Sequence, residues 1–295
     1  MFQGGNTMSS VFSKLRSQWF PRSKEVANEA TQRFINAAGL YRAINDPADM
    51  MRINAGRNSN GVFDTSIAHP ALPIPAYVHV FKFQNAYDVD STNVWDQGAV
   101  GSGTALAVQE SRGGIGMFTT ATADNDLYQY NNKYEIFKVA DGKHLWFWGG
   151  FQVSDATQSD IIFGLGARIN SGSIDATHNV FDTGAGNRLD FMGFRKDDGD
   201  AYLDAECRKD GTATSSTAVL TAADATDIFV GMHVIEDSRV EFFTGTSIGA
   251  LDDSVATITT NLPDDEELAF IFGLRNGEAA AKTMSVYKAV IIQDA

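Results

Sequence analysis

The chain has 295 residues, 43% of them apolar and 20% charged, with a formal net charge of −14 and a single cysteine. That length and composition suit a soluble globular protein with one large core or two smaller ones, and no run of about 18 apolar residues offers a membrane-spanning helix. One cysteine excludes an internal disulfide and a cysteine-based metal cluster, in keeping with folding in a reducing cytoplasm. The charge is split: residues 1–60 hold eight Lys/Arg and four Asp/Glu (+4), and the remainder holds 15 basic and 33 acidic side chains (−18). A body this acidic repels nucleic acid, whose phosphates need clustered basic side chains, so neither nucleic acid nor membrane is expected as a partner.

The first predicted elements are helical. The start, MFQGGNTMSSVFSKLRSQWF, lacks the apolar core and cleavage site of a signal peptide, and Met8 competes with Met1 as the natural start. Val11, Phe12, Leu15, Trp19 and Phe20 form a short amphipathic piece. Over 24–45, Val26, Ala30, Phe34, Ala37, Tyr41 and Ile44 recur at three- and four-residue steps, one stripe on a helix. Ser23 serves as N-cap and Glu25 suits the first turn. Asp46-Pro47 then restarts a short helix that ends by Gly56. Helices of this size are marginal alone in water, so the stripe must pack on something. Val26, Phe34, Tyr41 and Ile44 are its docking candidates, against the chain's own β domain or a neighbouring subunit. The segment HPALPIP (69–75) is an extended linker. The expected division is a helical arm over 1–60, a Pro-rich linker over 61–75 and a β domain over 76–295.

From Ala76 the apolar period changes from 3.6 to 2. Strands are predicted over 77–83, 104–110, 116–120, 134–139, 145–153, 160–166, 190–195, 201–208, 215–220, 227–235, 240–244, 254–259, 267–274 and 283–293. Turn signals separate them, among them Asp141-Gly142, Asp198-Gly199, Asp210-Gly211 and Asn276-Gly277. So many short strands without interleaved helices predict an all-β, antiparallel jelly-roll sandwich.

Two stretches carry candidate chemistry. In FRKDDGDAYLDAE (194–206) the acidic spacing fails the EF-hand pattern, leaving any calcium adventitious. Asp200, Tyr202, Asp204 and Glu206 alternate along one strand face opposite Ala201, Leu203, Ala205 and Cys207. That is the pattern of a half-solvated strand, with an acid–base pair at Asp204 and Glu206 as the catalytic alternative. In HLWFWGGFQV (144–153) both strand faces carry large aromatics, so neither face is simply wet. Trp146 and Trp148 are either covered by a contact or form a glycan-stacking platform. Gly149-Gly150 allows a bulge or a close approach of backbones. The five histidines, His69, His79, His144, His178 and His233, lack metal-ligand spacing, and Cys207 reads as a buried hydrophobe. The run ATADND (121–126) reads as an Asx-rich turn. No catalytic, cofactor or metal residues are assigned.

The succession GGIGMFTTATADND, YEIFKVADGKHLWFWGGFQVSDATQSDIIFGLG, FRKDDGDAYLDAE and AAAKTMSVYKAVIIQ resembles the concanavalin A/laminin-G-like jelly-roll proteins encoded among virion genes of tailed bacteriophages. The resemblance covers roughly 77–293 and leaves the helical arm outside. It implies a non-enzymatic virion structural protein, a capsid decoration or cement protein on the outer surface of the head. Its implied partners are the major capsid protein and neighbouring copies of itself as a homotrimer, with the arm used for anchoring. A tail- or fibre-associated module that binds host-surface glycans is the alternative, and a sandwich glycosidase the remote one.

Overall fold

The computed structural model describes residues 76–83, 86–91, 94–109, 114–169, 180–181, 190–247, 250–251 and 253–294. The predicted arm and linker, with Val26, Phe34, Tyr41 and Ile44, lie outside the described residues, as do His69 and His178. In chain order the strands are β1 (Ala76–Phe81), β2 (Trp95–Val100), β3 (Thr104–Gln109), β4 (Ile115–Thr119), β5 (Leu127–Asn132), β6 (Phe137–Lys138), β7 (His144–Val153), β8 (Ser159–Gly166), β9 (Phe191–Lys196), β10 (Tyr202–Lys209), β11 (Thr212–Thr221), β12 (Ile228–Ile235), β13 (Arg239–Gly245), β14 (Ser254–Ile258), β15 (Glu267–Asn276), β16 (Thr283–Val286) and β17 (Ala289–Asp294).

They form two antiparallel sheets packed face to face. One runs β14-β13-β12-β7-β16-β4-β3, with β17 continuing β16 alongside β7 and β1 outside β17; the other runs β11-β10-β9-β8-β15-β5-β2, with β6 on the end of β15. Between them lies a core rich in phenylalanine: Phe147, Phe151, Phe163, Phe270 and Phe272 meet at centroid distances of 4.9–5.7 Å. Position in the sheet explains composition. Central β8 and β15 are buried on almost every residue and read as near-continuous apolar runs, whereas edge strand β11 is half exposed and reads as Thr, Ser and Ala.

The expected sandwich is therefore present, with three local differences. β2 and β5 were absent from the predicted strands. In LYQYNN of β5 all six residues are buried, its amides facing a covered outer surface, so the polar–apolar contrast that marks a half-wet strand is missing. The alternation in 134–139 was overread: Tyr134, Glu135 and Ile136 are exposed, and only Phe137–Lys138 pair with β15. The last predicted strand is broken at Tyr287-Lys288: the Tyr287 N–H still donates in register to Gly150 O at 2.9 Å, and the pairing with β7 then shifts by one residue between Val286 (opposite Phe151) and Val290 (opposite Trp148). Gly149 and Gly150 pair with β12 without a bulge, and their missing side chains make room chiefly for aromatic rings. A side chain at Gly149 would meet the Phe163 ring at 2.9 Å, and one at Gly150 the Phe229 ring at 2.7 Å.

Candidate functional site

The two sequence candidates lie on the outer faces of opposite sheets. On β7, Leu145, Phe147, Phe151 and Val153 face the core, so His144, Trp146, Trp148 and Gln152 face out. Trp146 and Trp148 are nevertheless 8% and 1% exposed. Trp148 sits opposite Gly231, whose missing side chain leaves room for Leu251. Trp146 sits opposite His233 with rings nearly parallel, 5.1 Å between centroids, and close to His144 at 5.5 Å. Neither indole offers an open ring face, which corrects the glycan-stacking platform: adjacent side chains already cover the surface a sugar would use.

His144 and His233, separated by 89 positions in sequence, join head to head with Nδ1 and Nε2 3.0 Å apart. Only strand register brings them together, so no spacing in the sequence could reveal them. Burial first, then the charges of His144 and Arg239, lower the His233 pKa to about 3, so its ring is neutral at ordinary pH. The contact is then a shared N–H···N bond between two rings. Further along this face, Ile115, Met117, Gln109, Gln152, Thr283 and Ser285 line a groove of about 320 Å³. Gln152 is fixed there by donating to Ala225 O at 2.8 Å and Asp227 Oδ1 at 2.9 Å.

The outer face of the eight-stranded sheet holds the acidic strand. Tyr202 is 47% exposed and Asp204 half-buried, but Glu206 is 2% exposed and Arg208 fully buried. This corrects the solvated face expected for β10. Val180 and Phe181 lie over it, packed among Leu127, Ile162, Ile169, Phe191 and Ile271. Arg208 donates to Glu206 Oε1 from Nε (3.0 Å) and Nη2 (2.5 Å), and from Nη1 to Val180 O (3.1 Å). Arg195 Nη1 lies 3.6 Å from Glu206 Oε2, and its Nη2 donates to Phe181 O at 2.9 Å. Val180 N donates to Gln129 Oε1 at 3.1 Å, and the Arg275 guanidinium lies 5.5 Å from the Phe181 ring centroid. The carboxylate that could have served as a catalytic acid is thus a buried counter-ion. Asp204 accepts the Ala218 N–H at 2.8 Å and caps the bulge in β11. Two charges of opposite sign two residues apart on β10, with Arg195 on β9 beside them, were the available signal for this internal pairing.

The four motifs quoted for the resemblance converge on one end of the sandwich. Lys196, 1% exposed, donates through Nζ to the carbonyls of Thr157 (3.3 Å), Ser159 (3.0 Å) and Asp197 (2.8 Å), and burial lowers its pKa. The Gly199 N–H also donates to Thr157 O, and Asp198 N to Asp160 Oδ1. Lys282 pairs with Asp155 and Glu278, each at 2.5 Å. Asn276 donates to Ala121 O and Ala123 O and accepts from Thr120 Oγ1. ATADND forms a turn rich in Asp and Asn, as its composition predicts: Asn125 has φ 64°, the Asp126 N–H donates to Ala123 O at 3.2 Å, and Asp126 Oδ2 accepts the Ala123 N–H at 2.8 Å. The Ser-Asp-Ala-Thr stretch (154–157) and the Asp-Asp-Gly turn (197–199) are thus two halves of one interlocked end.

Cys207 is fully buried, as expected, and burial raises its thiol pKa. Among the described residues no three His, Cys, Asp or Glu side chains group as metal ligands.

No protein-family model and no curated protein sequence matches the chain. Among solved structures the sandwich is similar to lectin II from Ulex europaeus, at 10% identity and TM-score 0.50 over 75% of this chain and 98% of that one. It is also similar to endo-1,3-beta-glucanase from Streptomyces sioyaensis (11% identity, TM-score 0.49, 76% and 98% covered). A third likeness is to a protein of unknown function from Shewanella oneidensis MR-1 (13% identity, TM-score 0.49, 74% and 86% covered). The likeness to the Ulex lectin identifies the fold as a lectin-like jelly-roll sandwich.

Proposed function

We propose that this chain is a non-enzymatic structural protein of a tailed-phage virion, a decoration or cement protein on the outer surface of the head, folded in the host cytoplasm before it joins the particle. The observation that carries the reading is what the motif residues do. The segments that resemble phage virion sandwiches are spent on locking one end of the domain, and Glu206 is held as a counter-ion between Arg208 and Arg195. A particle-bound protein needs a rigid body that keeps its shape, and such internal ties supply it. The basic residues 1–60 act as the anchor on the major capsid protein, and copies gather as a homotrimer about local symmetry axes, where small contacts gain by multiplicity.

Imaging particles assembled with the full-length chain tests this. Extra density over the whole head, lost when residues 1–60 are deleted from an otherwise folded protein, is the expected result. Density at the tail alone, or unchanged incorporation of the shortened protein, overturns it. A second reading is favoured by the groove beside Gln152: its amide and hydroxyl lining suits the hydroxyl groups of a neutral glycan. Glycan binding lost in Gln109→Ala and Thr283→Ala proteins that still join particles would support that role.

A further inference from the structure

One flank of the sandwich is formed by two edge strands in contact, β11 of the eight-stranded sheet and β14 of the nine-stranded sheet. The Thr214 and Thr260 hydroxyls hydrogen-bond at 2.8 Å, and Asn261 Nδ2 donates to Thr214 Oγ1 at 2.8 Å. Among the described residues β11 pairs only with β10, and β14 only with β13. Thr212, Ala213, Ser215 and Thr217 on β11, and Val255 and Thr257 on β14, are exposed. Neither 212–223 nor 254–262 contains a charged residue, although residues 61–295 carry 48 of them. Free edges are usually blunted with lysine or proline, because their unpaired N–H and C=O groups template strand addition. On β11 the irregularity is the bulge at Ala218 (φ 60°), beyond the regular run 212–216, and β14 has a register shift of its own opposite Phe242 and Phe243.

The geometry of the hairpin says which groups are offered. Asp210 (φ 50°) and Gly211 (φ 74°) make a two-residue turn between Lys209 and Thr212. The closing pair of such a turn is a hydrogen-bonded pair, and pairs alternate along an antiparallel ladder. Ala213 and Ser215, opposite Arg208 and Glu206, therefore turn their N–H and C=O groups away from β10. The result is a short, regular ladder edge whose own residues carry no charge; Glu206, which accepts the Ser215 hydroxyl at 3.4 Å, is buried.

We propose that this flank is a self-association surface, on which β11 pairs antiparallel with β11 of a second copy across a two-fold axis and joins two eight-stranded sheets. The occupant follows from charge. An acidic or basic partner gains nothing from a neutral strip, whereas two copies, each of net charge −14, can meet at the strip without bringing charges into contact. A surface that is complementary to itself gives an isologous two-fold contact, and exclusion of charge is the mark of an interface core. The inference rests on the reading that copies of this chain associate; it adds a two-fold contact separate from the three-fold contact of the trimer, and it requires neither the capsid nor the arm.

The test uses the full-length protein, with its mass followed by light scattering against concentration and its amide exchange followed at Ala213 and Ser215. A concentration-dependent dimer is expected, tighter in salt because screening within about 8 Å weakens the repulsion of two acidic bodies. Exchange at Ala213 and Ser215 slows at least about tenfold as the dimer forms, since only a second strand protects them. Ala213→Pro removes an outward N–H without costing a β10 bond, and Ala213→Glu places a charge on the strip. Each is expected to weaken the dimer at least about tenfold while melting with the parent protein; if the proline variant misfolds, the glutamate variant decides alone. A protein monomeric at every concentration, or self-association unchanged in Ala213→Glu, overturns the proposal. Association lost only on deleting residues 1–60 overturns it too, yet leaves the decoration reading standing. A flank dimer in a protein missing from heads has the reverse meaning.

Discussion

His233 shows how a side chain of no evident interest in the sequence acquires a measurable role. Its folded pKa of about 3 lies below the ordinary 6.5, so between those values the unfolded chain binds a proton that the native ring refuses. This contribution to stability is complete above about pH 6.5 and is lost as pH falls toward 3. The loss amounts to at most about 1.4 kcal/mol per pH unit. Denaturant unfolding of His233→Phe between pH 4 and 7 is expected to show a slope shallower by up to one proton; an unchanged slope would place the titration elsewhere. Glu206 is the complementary case, a residue that looked chemical and is structural. Glu206→Gln removes the charge between Arg208 and Arg195 in a dry environment, where breaking a buried pair costs on the order of 3 kcal/mol. A drop of that size in chemical denaturation is expected, whereas an acid serving only catalysis would leave stability unchanged.

At the level of elements, what the sequence revealed depended on contrast. β10, β12 and β13 alternate between a core face and a second face, and their predicted spans fall within a few residues of the observed ones. β5 was missed because its outward amides are buried, and the charged face of β10 was misjudged for the same reason. The cover comes from Val180 and Phe181, far along the chain, and nothing in the strand itself announces it. The Asp210-Gly211 turn was legible because positive φ at both positions is a local demand. Glycines on the covered face record the cover indirectly. Gly164 and Gly193 face each other across β8 and β9, and a side chain on either would come within 2.4–2.8 Å of the other strand's backbone; at Gly273 it would meet the Phe181 ring at 2.9 Å. Gly193→Val is therefore expected to destabilise by more than about 2 kcal/mol, as overpacked interiors do. A side chain at Gly273 would also meet the Tyr128 carbonyl at 2.8 Å, so Gly273→Ala is expected both to displace Phe181, detected as faster proteolysis at 180–181, and to lower the melting temperature.

For the molecule as a whole, the jelly roll was legible from strand number and turn chemistry, and the lectin-like likeness agrees with it. The juxtapositions that matter most, His144 with His233 and Thr157 with Gly199, join residues 89 and 42 positions apart and exist only once β12 has paired with β7 and β9 with β8. The order of strands has a further consequence during synthesis. β15 lies between β8 and β5, while β16 and β17 lie beside β7, so the final strands made are central rather than peripheral. Until the ribosome has released them, β5, β7 and β8 wait with open ladders and apolar faces on both sides, the condition most prone to aggregation. A chain stopped after Glu266 is expected to collect in the insoluble fraction, with no stable smaller domain left behind; a soluble, cooperatively melting fragment would refute this. Folding of the sandwich is then a single late event, timed by the arrival of Glu267–Asn276 and the two strands that follow it.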